Sequence, residues 1–392
     1  MAVNVLVIHQ HFKTPEEGGA LRSYFLGKAL VDAGHKARII TAHNDEKYII
    51  RNVEGMEVHY LPVLYSNHFG FWKRILAFTK FISGIVFRSA QFKDADVCYA
   101  ISVPLTVGWA AQWMKWRYNI PYIFEVGDLW PDAPIELEVI ENSLLKKFLW
   151  WMERHIYKHA QSIVALSPPI KDAITTKISG KNILVIPNMA DTEFFKPEPK
   201  DWQLEEKFKV KGKLVISYFG AMGFANGLEY LLKAALECQK LNLPVHFTLT
   251  GDGAERENLL KKAEMLQLKN TSFQSFQNRN GIRELMNVTD IVFVSYRKAI
   301  ILETGSPNKF FDGLAAGKPI VVNFGGWIKD EIDAAGCGWY VNPQNQIELA
   351  SKLKSLLTEI SQAQYQESAR QLAEQKFSRK KLTEEWLKLF QS

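Results

Sequence analysis

Cysteine is scarce, with 3 in 392 residues (Cys98, Cys238 and Cys337). A set so sparse and scattered excludes a disulfide framework or a cysteine-rich metal site, and points to a reducing compartment. No stretch of about 18 residues is apolar throughout and free of charge, so no membrane span is expected. The N-terminal MAVNVLVIHQHF lacks the layout of a secretory signal. Charge of one sign is also lacking. With 48 basic against 42 acidic residues the formal net charge is +6, too mild to imply a nucleic-acid partner. The spaced GxGxxG of dinucleotide sites is missing, which argues against a dehydrogenase. What is present is a globular composition, 47% hydrophobic and 23% charged. The chain is too long for one ordinary core, so two domains are expected.

Short β-branched runs alternate with helical patterns along the whole chain. The expected strands are Val3–Ile8, Ala37–Thr41, Val97–Ile101, Tyr122–Glu125 and Ser162–Leu166, and after Asn188 Leu214–Phe219, Val245–Thr250, Ile291–Ser295 and Pro319–Val322. Such alternation means parallel sheets covered by helices on both faces. The polar segment Lys196–Gly212 is the expected boundary. Two doubly wound domains then face each other across a cleft, with ligands beyond the carboxyl ends of the strands.

Glycines and helix starts cluster at those strand ends. Gly18-Gly19 stands between the first strand and a helix expected over Ala20–Ala33, where it either admits a ligand close to the backbone or makes a plain tight turn. Gly220 to Gly227, with Asn226, follows Leu214–Phe219, and Gly251-Asp252-Gly253 follows Val245–Thr250. Arg297 lies just past Ile291–Ser295. The sharpest signal is Ser306-Pro307-Asn308-Lys309-Phe310-Phe311-Asp312. Ser306 is expected as N-cap and Pro307 as the first helical residue. Lys309 and Asp312 share a face. The helix start with its Lys suits a diphosphate, and Asp312 suits two ribose hydroxyls. The alternative is a surface ion pair.

The chain here resembles glycosyltransferase family 4, retaining nucleotide-sugar transferases of the two-Rossmann GT-B fold. The resemblance rests on Thr14 to Tyr24 (TPEEGGALRSY), Asp128-Leu129-Trp130-Pro131-Asp132, Ile186 to Phe195 (IPNMADTEFF), Gly251 to Arg256, and Ser306 to Pro319. The Asp-Leu-Trp-Pro and Pro-Asn-Lys elements resemble a bacterial O-antigen and capsule subgroup that includes N-acetyl-L-fucosamine transferases. It implies an acceptor-side domain over residues 1–195, a nucleotide-sugar domain over 196–376, and a final helix in 377–392 returning to the first. The implied donor is a UDP-sugar, held by Gly18, Gly19, Gly220, Asn226, Gly253, Arg297, Ser306, Asn308, Lys309 and Asp312. The implied acceptor is a glycan or a polyprenyl-diphosphate-linked sugar. This chain departs from the family in two places. Asp312 and Thr304 (beside Glu303) replace a Glu pair, and Ala221 and Asn226 stand where an Arg and a Lys usually meet the diphosphate.

No metal is expected. Asp94-Ala95-Asp96 reads as a polar strand entry. The work left to the protein is positioning and stabilising the leaving diphosphate. Asp128 is the expected acid near the reacting centre and Glu125 the second choice, with an N-cap role as the alternative for Asp128. Arg22 and Trp130 are expected on the acceptor side, where Trp130 serves as a sugar platform or as core packing. Residues 71–88 place Lys73, Arg74, Lys80 and Arg88 in one arc, opposite Phe71, Ile75, Phe78, Ile82, Ile85 and Val86. The basic arc suits an anionic membrane surface, while the apolar face also suits packing on the sheet. A second cluster, Lys146 to Trp151, adds to it. A cytoplasmic protein peripheral to the inner membrane face is therefore expected. The rival readings are a GT-B-shaped nucleotide-sugar epimerase and an inactive GT-B assembly module.

Overall fold

The computed structural model describes residues 2–66, 69–357 and 362–391. Two parallel-stranded α/β domains follow one another along the chain. The first sheet contains β1 (Asn4–Ile8), β2 (Lys36–His43), β3 (Ile49–Val53), β4 (Met56–Pro62), β5 (Val97–Ile101), β6 (Tyr122–Val126), β7 (Ser162–Ala165) and β8 (Ile183–Val185). Its order is β3-β4-β2-β1-β5-β6-β7-β8, and only β3 runs antiparallel to its neighbour. The second sheet contains β9 (Leu214–Phe219), β10 (Val245–Thr250), β11 (Thr271–Gln274), β12 (Ile291–Val294), β13 (Ile320–Val322) and β14 (Gly338–Tyr340). It is parallel throughout, in the order β11-β10-β9-β12-β13-β14. The strand order reverses beside β1 in one sheet and beside β9 in the other, and such switch points open crevices at the carboxyl ends of the strands.

Strands such as β9 (LVISYF) and β10 (VHFTLT) are buried along their full length because helices cover both faces. In the first domain, α2 (Phe71–Arg88), α3 (Val107–Tyr118) and α4 (Ser143–His159) cover one face of the sheet. The other face holds α1 (Arg22–Asp32), and against it packs α7 (Arg379–Leu387) from the end of the chain, which buries Trp386 between α1 and β5. Two further helices frame the cleft, α5 (Arg279–Val288) and α6 (Asn308–Ala315).

α2 differs from its expected orientation. Its buried residues are Ala77, Phe78, Phe81 and Ile85. Trp72, Leu76 and Phe87 are exposed together with Lys73 and Lys80. Arg74 and Arg88 are only half exposed. Arg74 donates through Nε to the carbonyl of Phe69 at 2.9 Å, and Arg88 lies 4.3 Å from the centre of the Tyr48 ring. The basic arc is therefore split by packing, because the sheet takes up the helix face that carries Phe81. The Phe71 side chain lies outside the described residues. Trp72–Phe92 is long and apolar enough to cross a membrane by length and composition, but Phe81 and Ile85 are wholly buried in the first domain.

Candidate active site

The apolar residues of α6, Phe310, Phe311, Leu314 and Ala315, are wholly buried in the second core. That packing turns Lys309 and Asp312 to the other side, where both remain half-buried. Lys309 reaches the end of β9. Its Nζ donates to the Tyr218 hydroxyl at 3.2 Å and lies 4.3 Å from the centre of that ring. No carboxylate pairs with Lys309 among the described residues. Burial pulls its pKa down to about 8. Gly220 (φ +122°) follows β9 directly, and a Cβ there would stand 3.3 Å from Lys309 Cε. Asp312 lines a recess between the domains, together with Gly19, Arg22, Asn188, Arg279 and Asn308. Burial pushes the Asp312 carboxyl up to about 7, Asp191 adds to the rise, and Arg279 partly offsets it.

The start of α6 differs from expectation. Pro307 is the N-cap and Asn308 the first helical residue, with no side-chain cap. Ser306 is tied to the interdomain crossing instead. Its Oγ accepts from the Asn188 backbone N–H at 3.1 Å, and its carbonyl accepts from Asn188 Nδ2 at 2.5 Å. A hydroxyl already accepting from a residue 118 positions away has left the position from which it would cap the helix. Asn308 is exposed at the recess. At the other position of the Glu pair, Thr304 donates its hydroxyl to the Ile301 carbonyl at 2.7 Å, and its neighbour Glu303 accepts from the Gly325 backbone N–H at 3.3 Å.

The glycine loops divide by role. Gly18 and Gly19 have φ of +71° and +97°, and a Cβ on Gly18 would stand 3.0 Å from Asn278 Cα. The loops of the two domains therefore touch there. Gly251 and Gly253 accommodate the neighbouring loop: a Cβ on Gly251 would meet the Gly220 carbonyl at 1.9 Å, and one on Gly253 the Met222 carbonyl at 2.6 Å. Gly253 thus supports the Gly220 loop from behind. Asn226 accepts from the Gly223 backbone N–H through Oδ1 at 3.1 Å and so closes its own turn. The Arg297 guanidinium lies 3.5 Å from the centre of the Phe224 ring, and its buried Nε has no hydrogen-bond partner among the described residues.

On the opposite wall, Asp128 follows β6 with its side chain open to the cleft. Desolvation by the surrounding walls raises its pKa. Burial raises the pKa of the Tyr296 phenol in the second domain, and the nearby Asp128 charge adds to that rise. Trp130 is half-buried against the first core. Glu125 does not reach the cleft. It is wholly buried, its two oxygens accept from Arg22 Nε at 2.8 Å and Nη2 at 2.9 Å, and the Tyr99 hydroxyl donates to it as well. Arg22 also donates to the carbonyls of Ile186 and Pro187 at 2.9 and 2.6 Å. The pair anchors the interdomain crossing and corrects the expectation that Glu125 stands near the reacting centre. Asp94 pairs with Arg38 at 2.9 Å, and Asp96 accepts from the Asn4 backbone N–H at 2.7 Å. Both lie at the amino edge of the first sheet, away from the cleft.

Sequence reasoning missed Arg279 and Asp191. The Arg279 side chain pairs with Asp191 and lies 3.9 Å from the centre of the Phe194 ring. Arg379, which begins α7, pairs with Asp191 too, at 3.1 Å. The available signal was β11, a four-residue strand whose carboxyl end delivers Asn278 and Arg279 to the cleft.

Comparison with known proteins agrees with this architecture. Residues 17–189 match a glycosyl transferase 4-like domain, and residues 200–375 match the glycosyl transferases group 1. The chain is 25% identical to the probable glycosyltransferase WbjE of Pseudomonas aeruginosa over 271 residues, 67% of this chain and 66% of that protein. The match therefore spans just under two thirds of that relative's length. In fold it is similar to sucrose-phosphate synthase from Thermosynechococcus elongatus (TM-score 0.77, 16% identity, 99% of this chain and 98% of that one). It is likewise similar to Anabaena HepE in complex with UDP and glucose (TM-score 0.73, 17% identity, 100% of both chains). Two parallel α/β domains facing across a cleft, one matching each half of this family, make the chain a GT4-type glycosyltransferase of the GT-B fold.

Proposed function

We propose that this glycosyltransferase moves an N-acetylated hexose or deoxyhexose from a UDP-sugar to a glycan or polyprenyl-diphosphate-linked acceptor, with retention and without a metal, in bacterial surface polysaccharide synthesis. The observation that carries the donor reading is one helix face at the interdomain cleft, with a lysine that has no carboxylate partner among the described residues beside Gly220 and a half-buried carboxylate three residues on. The N–H groups of the first turn of α6 attract the diphosphate together with Lys309. Arg297 supplies a second cation from the same strand-end edge and stands in for the basic residues that the Gly220 loop lacks. Asp312 accepts from the ribose hydroxyls. UDP is the base-bearing group in the HepE complex, which supports the choice of donor.

Asp128 stands on the facing wall, where it orients the acceptor hydroxyl. In a retaining front-face step, the bond from the anomeric carbon to the diphosphate oxygen breaks as the acceptor oxygen bonds to the same face. The departing diphosphate oxygen takes the acceptor proton. The protein supplies position and positive charge, and no carboxylate nucleophile is needed. UDP release from UDP-N-acetylhexoses in the presence of lipid-linked acceptor tests this reading. Asp128→Asn is expected to lower the turnover of that release by about 100-fold while leaving UDP affinity unchanged. Equal turnover would remove Asp128 from the site. UDP binding with no release for any donor would favour the inactive assembly module.

A further inference from the structure

We propose that the outward surface of α2, α3 and α4 is a single docking face for an anionic lipid bilayer. The three helices cover one face of the first sheet side by side. Their outer residues are unusually apolar for a surface. Trp72, Phe87, Trp116 and Leu144 are 78%, 83%, 74% and 77% exposed, and Phe148 and Trp151 are exposed by half. Between α3 and α4 the rings form a continuous ridge. Trp109 lies 5.6 Å from His155, His155 lies 5.3 Å from Trp151, and Trp151 lies 5.9 Å from Phe148. Indole at an exposed apolar face is the pattern of a lipid headgroup boundary, where the ring is half in hydrocarbon and its N–H stays wet.

Charge selects a bilayer over another protein. Lys73, Lys80, Lys147, Arg154 and Lys158 are exposed on this face, with Lys115 and Arg117 at the end of α3. The three helices carry one acidic residue, Glu153, which is wholly buried and held by Lys177 at 2.7 Å. The exposed carboxylates Glu136, Glu138 and Glu141 precede α4 and mark the margin of the face. Cations without anions, interleaved with aromatics, suit a sheet of phosphate headgroups. Protein–protein interfaces are depleted in lysine, whereas here lysines stand among the exposed rings.

Placement gives the face a use. α2, α3 and α4 follow β4, β5 and β6, so each begins at the carboxyl edge of the first sheet, the edge that borders the cleft. A bilayer lying on this face reaches the wall that carries Asp128. Resting on the proposed transfer to a lipid-linked acceptor, this brings the acceptor's headgroup to the cleft without extraction from the membrane. The docking itself stands apart from that reading.

Cosedimentation of the full chain with vesicles tests it. Strong binding is expected to vesicles containing about one third phosphatidylglycerol and weak binding to phosphatidylcholine alone. Replacing Lys73, Lys80 and Lys147 by Glu is expected to lower anionic-vesicle partitioning by at least about 100-fold. Trp72→Ser with Trp151→Ser is expected to lower it further. UDP affinity serves as the control for folding and is expected to be unchanged in all variants. Equal binding to both vesicle types, absence of binding to either, or full binding by the triple variant would overturn the proposal. So would a dimer of the chain that the same substitutions dissociate. Failure of sugar transfer with intact vesicle binding would instead count against the acceptor alone.

Discussion

Asp312→Ala is expected to weaken UDP binding by roughly 10- to 100-fold, the range for losing hydrogen bonds to a charged group. The same carboxylate sets a pH dependence whose sign follows from its environment. Burial holds Asp312 near 7, so in the free protein it is largely protonated at pH 6. Ribose hydroxyls donate, and donation favours the ionised form, so affinity rises as pH climbs through 7. Lys309 is held near 8. The diphosphate requires its cation, so affinity falls again above pH 8. UDP binding measured by calorimetry is therefore expected to peak between about pH 7 and 8. Uridine lacks the diphosphate and is expected to keep the acid limb and lose the alkaline one. Asp312→Asn is expected to remove the limb near 7, leaving on the acid side only the titration of the ligand's own phosphate near 6, with the Lys309 limb above pH 8 kept. A flat profile for UDP, or an Asp312→Ala protein that binds UDP as tightly as the natural chain, would contradict the ribose role.

Glu125→Ala is expected to destabilise the first domain by about 3–5 kcal/mol, the cost of leaving a buried charge without its partner. Glu125 is wholly buried, and the Arg22 side chain is 8% exposed. Removal of the carboxylate leaves the guanidinium enclosed with only carbonyl acceptors, and Tyr99 without its acceptor. Chemical denaturation reads the change directly. The double variant Arg22→Met, Glu125→Leu is expected to recover part of the loss, because an apolar pair of similar volume removes both charges. Recovery stays incomplete, since the carbonyls of Ile186 and Pro187 then lose their donor. A loss below about 1 kcal/mol for Glu125→Ala, the scale of an exposed pair, would show that the pair is not an anchor.

The sequence makes the parallel strands legible because a run such as Leu214–Phe219, buried at every position, leaves no polar alternation to confuse its reading. The hairpin β3–β4 escapes the same test. β3 is an edge strand with three exposed positions, and its clue is a two-residue turn, Glu54-Gly55, with positive φ at both residues. In the site, Lys309, Asp312 and Gly220 are legible because strand, glycine and helix start are local features. The roles of Glu125 and Ser306 are not, because their partners lie 103 and 118 residues away. Arg279 and Asp191 belong to the same class, joined across 88 residues. The face of α2 turned toward solvent was also hidden, since its composition satisfies two faces and only the position of the sheet decides between them.

Calorimetric titration of the natural chain and of Lys309→Met with UDP and with uridine puts the central claim, a diphosphate held by the start of α6, to its most direct test. The geometry predicts that UDP affinity falls at least about 10-fold in the variant, while uridine affinity is the same in both proteins. Equal UDP affinity in both, or no measurable binding of UDP to the natural chain, would contradict it.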